Sequence, residues 1–501
     1  MFNFSHKFWA ASLNFKIEVI TTMLETQEIL AAINNEFNSI KYRNAKKGLR
    51  YYEGEHDILD YKIYYVDQDG MAVEDTSKSN IKISHAYLTE LINQKVSYFH
   101  NIKKDFVFSD IPELQAALKE RFDDEFFAEL VDVLKYGSAE GWSYLYRYLD
   151  EEGKSRFNFA EGLGVCEIPA HIASDEMAHI IYCYVEKIKD NKKLEAVLDY
   201  TNESVTYYKK IGNSLMLDDR YKINPRPLIL SQPDENGAIY YDQFKRIPFY
   251  RFSNNKKEFS DLKPIKGLID DADMMACSLS NNLQDLSEGI YMVKNYQGTN
   301  AEEFIQNVKA KKYVGVGADG DFDVKTVEIP YQARQAKLAI DKESIYKFAQ
   351  GFDTSLLGEG NVTNVVIKAR FASLDEKVND LEIQVRKFLK PIIKDVIDEI
   401  NKELKTNYKY SDVYLEFERA TIINEQETVQ NNLTKAQQRQ IDINNILSLN
   451  SILPEEEIRK EICRILELNY EDIDWNEVDT FDPDKASEQL LAAEGGENSA
   501  E

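Results

Sequence analysis

The chain has 501 residues, 43% of them hydrophobic, and its 87 acidic against 61 basic residues give a formal net charge of −26 at pH 7. The length allows about three domains of ordinary size. The charge excludes a protein that grips nucleic acid along a broad basic face, since that needs lysine and arginine to displace counterions from phosphates, and it disfavours an anionic lipid surface.

The first 22 residues, MFNFSHKFWAASLNFKIEVITT, have the outline of a leader, but Lys16 and Glu18 interrupt the apolar run and no small-residue cleavage site follows. Met23 opens a cleaner start, so these residues are either a genuine extension or precede the true start. Residues 1–40 are expected to form an extension and a helix. Ile29, Ala32, Ile33, Phe37 and Ile40 share one helical face, which predicts an amphipathic helix from near Thr26. A hairpin is expected next, YKIYYV and MAV joined by Asp67-Gln68-Asp69-Gly70. Helices are predicted around Ser84–Tyr98 and over Leu114–Gly137. GWSYLYRYLDEEGKSRFNFA reads as a second hairpin turning at Glu151-Glu152-Gly153. The strands HIIYCYVEKI, LEAVLDYT, SVTYYKK and RIPFYRFSNN follow, so 41–260 is expected to be an α+β domain with an antiparallel sheet.

At Ser260 the pattern changes. Leu262, Ile265, Ile269, Ala272, Met275, Leu279, Leu283 and Leu286 recur at helical spacing, with Ser260 able to cap the start and Gly289 to end it, so a long helix is expected over 261–288. The strand GIYMVKNYQG, a short helix AEEFIQNVKA and the strands KKYVGVG and FDVKTVEI make a small α/β unit over 289–330. A second long helix is expected over 331–352, then a polar, glycine-bearing stretch over 353–364. The longest helix carries Leu374, Val378, Leu381, Val385, Phe388, Ile392, Val396 and Ile400, with Pro391 expected to kink it. With the strand-like VYLEFERA (413–420) it fills 365–424. Residues 425–501 are expected to be helical to about Leu468, then an acidic tail holding eleven acids and one lysine after Tyr470.

The motifs that would carry chemistry do not hold up. Gly315-Val316-Gly317-Ala318-Asp319-Gly320 matches G-x-G-x-x-G, but a strand follows where a dinucleotide site needs a helix, so a glycine-rich β-turn is expected. Gly153-Lys154-Ser155 ends like a Walker A loop, but Tyr148 stands where the first glycine is required. His171 and His179 lack any zinc-ligand context. Cys166, Cys183, Cys277 and Cys463 form no C-x-x-C pair and no disulfide framework, which points to a reducing cytosol. No apolar run reaches the ~18 residues of a membrane span. No catalytic constellation, cofactor or metal site is expected. Lys337, Lys342 and Lys347 on the second long helix are either solvated lysines or isolated cationic rings facing a channel.

Five segments carry a resemblance: RYYEGEHDIL, IKISHAYLTELINQKVSYF, LVDVLKYGSAEGWSYLYRYLDEEGKSRF, RIPFYRFSNNKKEFSDLKPIKGLIDDADMMACSLSNNLQD and GFDTSLLGEGNVTNVVIKARFASLDEKVNDLE. In order and spacing over roughly 38–470 the chain resembles the siphophage-type portal protein family of tailed bacteriophages. The resemblance implies a portal fold: a wing (41–260), two stem helices (261–288 and 331–352), a clip (289–330), a tunnel loop (353–364), a long kinked helix with a return strand (365–424) and a crown (425–501). It implies a non-enzymatic, homo-oligomeric ring, a dodecamer, at one capsid vertex of the virion, assembled in the host cytoplasm without a membrane. Double-stranded viral DNA would pass through without sequence specificity, beside Leu356, Leu357, Gly358, Gly360, Asn361, Lys337, Lys342 and Lys347. The terminase large subunit and a head-completion (adaptor) protein would dock on clip residues Tyr296, Gln297, Lys311, Lys312, Asp319 and Asp321, and the ring would meet major capsid and scaffolding proteins. The alternatives are another structural head or head–tail connector protein, and an enzyme acting on nucleic acid, which would need a metal or phosphate site.

Overall fold

The computed structural model describes residues 24–470 except 68, 77, 100–104, 151–153, 171–176, 188–192, 229–243, 245, 286–289, 297–315, 326–330, 358–363, 420–424, 450–451, 467 and 469. The turn expected at 151–153, His171, the cap at Gly289, the short helix at 301–310, the first five residues of the strand expected over 311–317 and the acidic tail therefore lie outside the described residues. The chain divides into two compact units, Met1–Asp353 with Ala372–Ala420, and Thr354–Phe371 with Thr421–Glu501.

In the first unit, α1 (Thr26–Phe37) buries Ile29 and Ile33, one turn apart. It ends at Phe37 because Ser39 caps a further helix, α2 (Ile40–Tyr52), accepting from the Tyr42 N–H at 3.0 Å. Ile40, expected on the α1 face, instead opens α2 and is 70% exposed. The first hairpin forms as its turn residues require. In β1 (Tyr64–Val66) and β2 (Ala72–Glu74) the strands pair antiparallel, the Asp67 carboxylate accepts from the N–H groups of Asp69 and Met71, and Gly70 sits at φ 79°. After α3 (Tyr87–Phe99) and the short β3 (Val107–Phe108), the single helix expected over Leu114–Gly137 is two, α4 (Pro112–Arg121) and α5 (Asp124–Glu140). Asp123 makes the break: its carboxylate accepts from the Phe126 N–H at 3.0 Å and starts a new helix. Gly141 ends α5 at φ 108°, where a Cβ would lie 2.3 Å from the Glu258 carbonyl oxygen.

The strands are β4 (Trp142–Leu149), β5 (Ser155–Ala160), β6 (Val165–Pro169), β7 (Met177–Lys187), β8 (Lys193–Tyr200), β9 (Ser204–Ile211), β10 (Ser214–Leu217), β11 (Arg226–Pro227) and β12 (Phe249–Ser253). They form two antiparallel sheets, one ordered β10-β9-β8-β7-β6 with β11 also on β9, the other β12-β4-β5. Alternation along β8 feeds both faces of the larger sheet. Val197 joins Cys166, Ile181 and Leu215 beneath Ile29 and Ile33 of α1, while Ala196 and Leu198 pack with Val205 on the other side. Burying each of those α1 isoleucines stabilises by about 1.5–3 kcal/mol before entropic costs. A second core joins Trp142, Tyr144, Ala160, Ile180 and Phe249 to Ala45 of α2. Mixed helices and small antiparallel sheets match the expected α+β class.

Next come α6 (Lys266–Asp285), β13 (Ile290–Tyr296), β14 (Val316–Lys325), α7 (Tyr331–Phe348), α8 (Asn364–Leu404) and β15 (Tyr414–Leu415). The strand expected over 413–420 is only these two residues, paired with β3. From Ala372 on, α8 buries Leu374, Val378, Leu381, Val385, Phe388, Ile392, Val396 and Ile400, as the spacing predicts, and its helical assignment continues through Pro391. In the second unit, the helix expected from Glu425 to about Leu468 is two, α9 (Glu425–Leu447) and α10 (Glu455–Ile465), with Pro454 at the start of α10. They meet through Ile443, Ile458, Ile462 and Leu466.

Candidate channel site

α6 and α7 pack as a pair in which burial is confined to one end. Ile269, Ala272 and Cys277 are buried on α6, and Asp341, Ile345 and Tyr346 on α7. Toward the β13–β14 end, Leu283, Met292, Tyr331 and Ile340 are 43–58% exposed. The apolar stripe predicted on α6 is real; among the described residues it is buried from Leu262 to Ala272, half-buried at Met275 and Leu279 and exposed at Leu283.

The α6 helix is fixed by a carboxylate no local pattern advertises. Asp273, fully buried, accepts from His56 Nδ1 at 2.6 Å, His85 Nδ1 at 2.7 Å and the His85 backbone N–H at 2.9 Å. Burial pushes its carboxyl up, but the hydrogen bonds from both histidine rings and the His85 amide, with the His56 charge, together outweigh that and hold it below its ordinary value. Two more amides extend the line, Ile83 N–H onto Cys277 Sγ at 3.1 Å and Ile81 N–H onto Asn281 Oδ1 at 2.6 Å. At the start of α6, Asp261 accepts from buried Lys95 at 2.7 Å and pairs with Lys377 of α8 at 3.2 Å. Glu399 of α8 likewise receives Arg121 at 3.2 Å and Arg147 at 2.6 Å.

Of the three lysines singled out on α7, two are engaged within the chain. Lys337 contacts the carboxylates of Asp271 and Asp341, and Lys342 pairs with Asp353 at 2.8 Å. Those contacts hold both ammonium groups above their ordinary value. Lys347 is exposed in the last turn, where a cation suits the helix dipole.

The exit from α7 is tightly specified. Gln350 takes φ 55°, its N–H bonds the Lys347 carbonyl at 3.2 Å, and the Gly351 N–H bonds the Tyr346 carbonyl at 2.8 Å, the hydrogen-bond set of a Schellman cap. A Cβ on Gly351 would fall 2.1 Å from Leu91 of α3. The Gln94 amide then holds both main-chain groups of Phe352, at 2.6 and 2.7 Å. Leu356 and Leu357 fall in a single 3-10 turn, Thr354–Leu357. Their side chains, and Gly358, Gly360 and Asn361 altogether, lie outside the described residues.

In β13–β14, Lys294 pairs with Asp321 and Tyr296 with Val316, so six residues of β14 oppose three of β13. Gly317 and Gly320 therefore stand in a bulge within one strand, not in a β-turn between two strands. Asn295 at φ 58° is the matching irregularity on β13. Asp319 and Asp321 are exposed, while Gln297, Lys311 and Lys312 lie outside the described residues.

The rejected motifs have structural partners. Lys154 contacts Glu120, Ser155 N–H donates to Glu399 at 3.2 Å, and His179 pairs with buried Asp199 at 2.9 Å. Cys166, Cys183, Cys277 and Cys463 are free thiols. Among the described residues there is no cluster able to hold a metal ion and no helix long and apolar enough to cross a membrane.

Comparison with known proteins places the chain. The family described as "Phage portal protein, SPP1 Gp6-like" matches residues 33–472. The portal protein of Bacillus phage SPP1 is 31% identical over 345 residues, 68% of this chain and 67% of that protein. The portal protein of Clostridium phage phiCD119 is 25% identical over 392 residues, 75% of this chain and 82% of that protein. A solved structure described as "Neck of native GTA particle computed with C12 symmetry" shares 10% identity and covers 75% of this chain and 89% of that chain at a TM-score of 0.34. With the family spanning residues 33–472 and a relative above 30% identity, this chain belongs to the SPP1 Gp6-like family of phage portal proteins.

Proposed function

We propose that the chain assembles into a closed ring, a dodecamer, at one vertex of the capsid, and that viral double-stranded DNA passes through its bore during packaging and ejection. The observation that carries this is the half-covered α6–α7 pair. An apolar stripe covered at one end and bare at the other needs neighbours, and a ring of copies supplies them. In this reading α6 and α7 are the stem, β13–β14 belongs to the clip outside the head, and the chain leaving the Gly351 cap is the tunnel loop.

The electrostatics suit passage rather than grip. A wall with excess carboxylate repels phosphates and lets the duplex slide, whereas a basic wall would hold it. With Lys337 and Lys342 already neutralised by aspartates, Lys347 is the α7 cation among the three with charge to offer the bore. Exposed Asp319 and Asp321, with Tyr296, Gln297, Lys311 and Lys312, belong to the surface where the terminase large subunit and a head-completion protein dock. Capsid and scaffolding proteins would meet the wing. The chain has no enzymatic role in this reading.

Negative-stain electron microscopy of the purified protein tests the ring. Annular particles with a central hole are expected. A monodisperse monomer at high protein concentration would sink the proposal.

A further inference from the structure

The β1–β2 hairpin is bare in this chain. Every residue of both strands is exposed, including Tyr64 at 57%, Tyr65 at 48% and Val66 at 71%, and Met71 in the turn is 66% exposed. A two-stranded ribbon standing alone is marginal in water, and a contiguous exposed apolar patch marks an interaction surface. The ribbon is nevertheless held at a fixed place. Its base is closed by Asn80, which donates to the Tyr61 carbonyl at 3.3 Å. The segment that follows is pinned along α6 through Ile81, Ile83 and His85.

The helix paired with α6 offers a surface of matching character. Residues 331–340, YQARQAKLAI, expose Tyr331, Ala333, Ala336, Ala339 and Ile340, and contain Arg334 and Lys337 but no acid. The hairpin stretch 64–75, YYVDQDGMAVED, is its complement, with Asp67, Asp69, Glu74 and Asp75 and no base. Both surfaces are apolar and uncovered within one chain, and both border the same helix pair; with Lys337 held by Asp271 and Asp341, Glu74 by Lys62 and Asp75 by Lys78, the charges without an ion pair among the described residues are Arg334 on one and Asp67 and Asp69 on the other. A closed ring joins each copy to its neighbours through two different patches of surface, and these two have the character such a joint requires.

We propose that the β1–β2 hairpin of one copy lies on the 331–340 face of α7 of the adjacent copy. This rests on the ring reading above and adds the contact that closes it. Each copy is then both arm and receiver, and the bare ends of the stripes on α6 and α7 are shielded at the same time.

The full chain tests it. Tyr64→Ser with Val66→Asp changes the arm, and Ile340→Asp alone changes the receiver. All three positions are exposed, so melting temperature should not move, while the protein concentration at half-assembly, read by light scattering, should rise at least tenfold for each variant. Tyr65→Cys with Ala336→Cys, treated with a short bismaleimide, should give a ladder of covalently joined copies on a denaturing gel. Rings that form at the wild-type concentration in both surface variants, with no ladder, overturn the contact and leave the ring intact. The contact is equally overturned if those normal rings have lost a different head protein, since the hairpin then serves that partner. A wild-type chain that stays monomeric overturns the ring reading, and this contact with it.

Discussion

Lys95 Nζ lies 2.7 Å from Asp261 Oδ2, with 2% of the lysine side chain exposed. Asn254 Oδ1 accepts a second lysine hydrogen bond at 3.0 Å. Burial pulls the Lys95 ammonium down to about 8 although Asp261 favours its charged form. Burial pushes Asp261 up, but the charges of Lys377 and Lys95 outweigh it and leave the carboxyl well below its ordinary 3.8. Asp261→Asn leaves two lysines facing each other without a counter-charge and should destabilise the first unit by about 3–5 kcal/mol in denaturant unfolding. The sign with pH follows. The Asp261 contribution is complete above its unfolded value near 3.8 and is lost as pH falls through the lower folded value, so the variant should lose that acid-side dependence. From about 8 to 10.5 the unfolded chain holds a proton that folded Lys95 has released, so stability should rise with pH there in the wild type.

Asp273→Ala should release the 81–85 segment from α6. Three donors lose their acceptor, His56 Nδ1, His85 Nδ1 and the His85 N–H, which should cost about 3 kcal/mol on the scale of hydrogen bonds to charged groups. Hydrogen exchange locates the effect. Amides 81–85 should exchange faster, while those of β7 and β8 keep their protection. Equal acceleration everywhere would mean that Asp273 supports the whole fold and not this joint.

Glu140 is 1% exposed; its Oε2 accepts from the Leu163 N–H at 3.1 Å, and its Oε1 has no partner among the described residues. Burial first, then the neighbouring Glu161 carboxylate, push its carboxyl well above the ordinary 4.5. The folded chain therefore holds a proton that the unfolded chain releases, and stability should fall as pH rises from 4.5 toward the raised value. Glu140→Gln should flatten that slope and stabilise by about 1 kcal/mol at pH 8. A parallel slope in the variant would place the pH dependence elsewhere.

Gly358→Pro with Gly360→Pro addresses the tunnel loop. Most helix–helix connections have about two to eight residues, and the sequence here provides a longer polar link with two apolar residues, Leu356 and Leu357. Two prolines remove backbone freedom without touching the described core. Folding and ring formation should survive while DNA packaging into heads stops. Packaging at the wild-type rate would show that this segment does not move with the duplex.

What was legible in the sequence was whatever repeats locally. The buried residues on α8 from Leu374 to Ile400 were visible because four-residue steps expose one face of a helix, and the β1–β2 turn because Asp67 and Gly70 have few other uses. α2 was missed because IKYRNAKKGLRYY has a broad charged face and buries only Ala45, Gly48 and Tyr51. The break at Asp123 was missed because Leu114, Leu118, Phe122 and Phe126 keep a helical spacing straight through it. The glycines of β14 read as a turn, since sequence does not reveal that Asn295 across the ladder opens a bulge. His56 and Asp273 are 217 residues apart, and Arg147 and Glu399 are 252 apart, so only the folded chain brings them together. Lys337, Lys342 and Lys347 looked alike in sequence, and the position of Asp271, Asp341 and Asp353 separates the first two from the third.

The seam between residues 81–85 and α6 runs on two rulers. Amides two residues apart on one side meet groups four apart on the other, in opposite directions: Ile81 with Asn281, Ile83 with Cys277, His85 with Asp273. Two residues of extended chain advance roughly 6.6 Å and four of helix about 6.0 Å. The error is about 0.6 Å per step and about 1.2 Å across three contacts, within the give of side-chain acceptors, and a fourth would be nearly 2 Å out of step. Three is therefore close to the natural length of such a seam. Inserting one residue between Ile81 and His85 shifts the facing amides out of phase at once, so this stretch should tolerate substitution of its side chains far better than any change in its length.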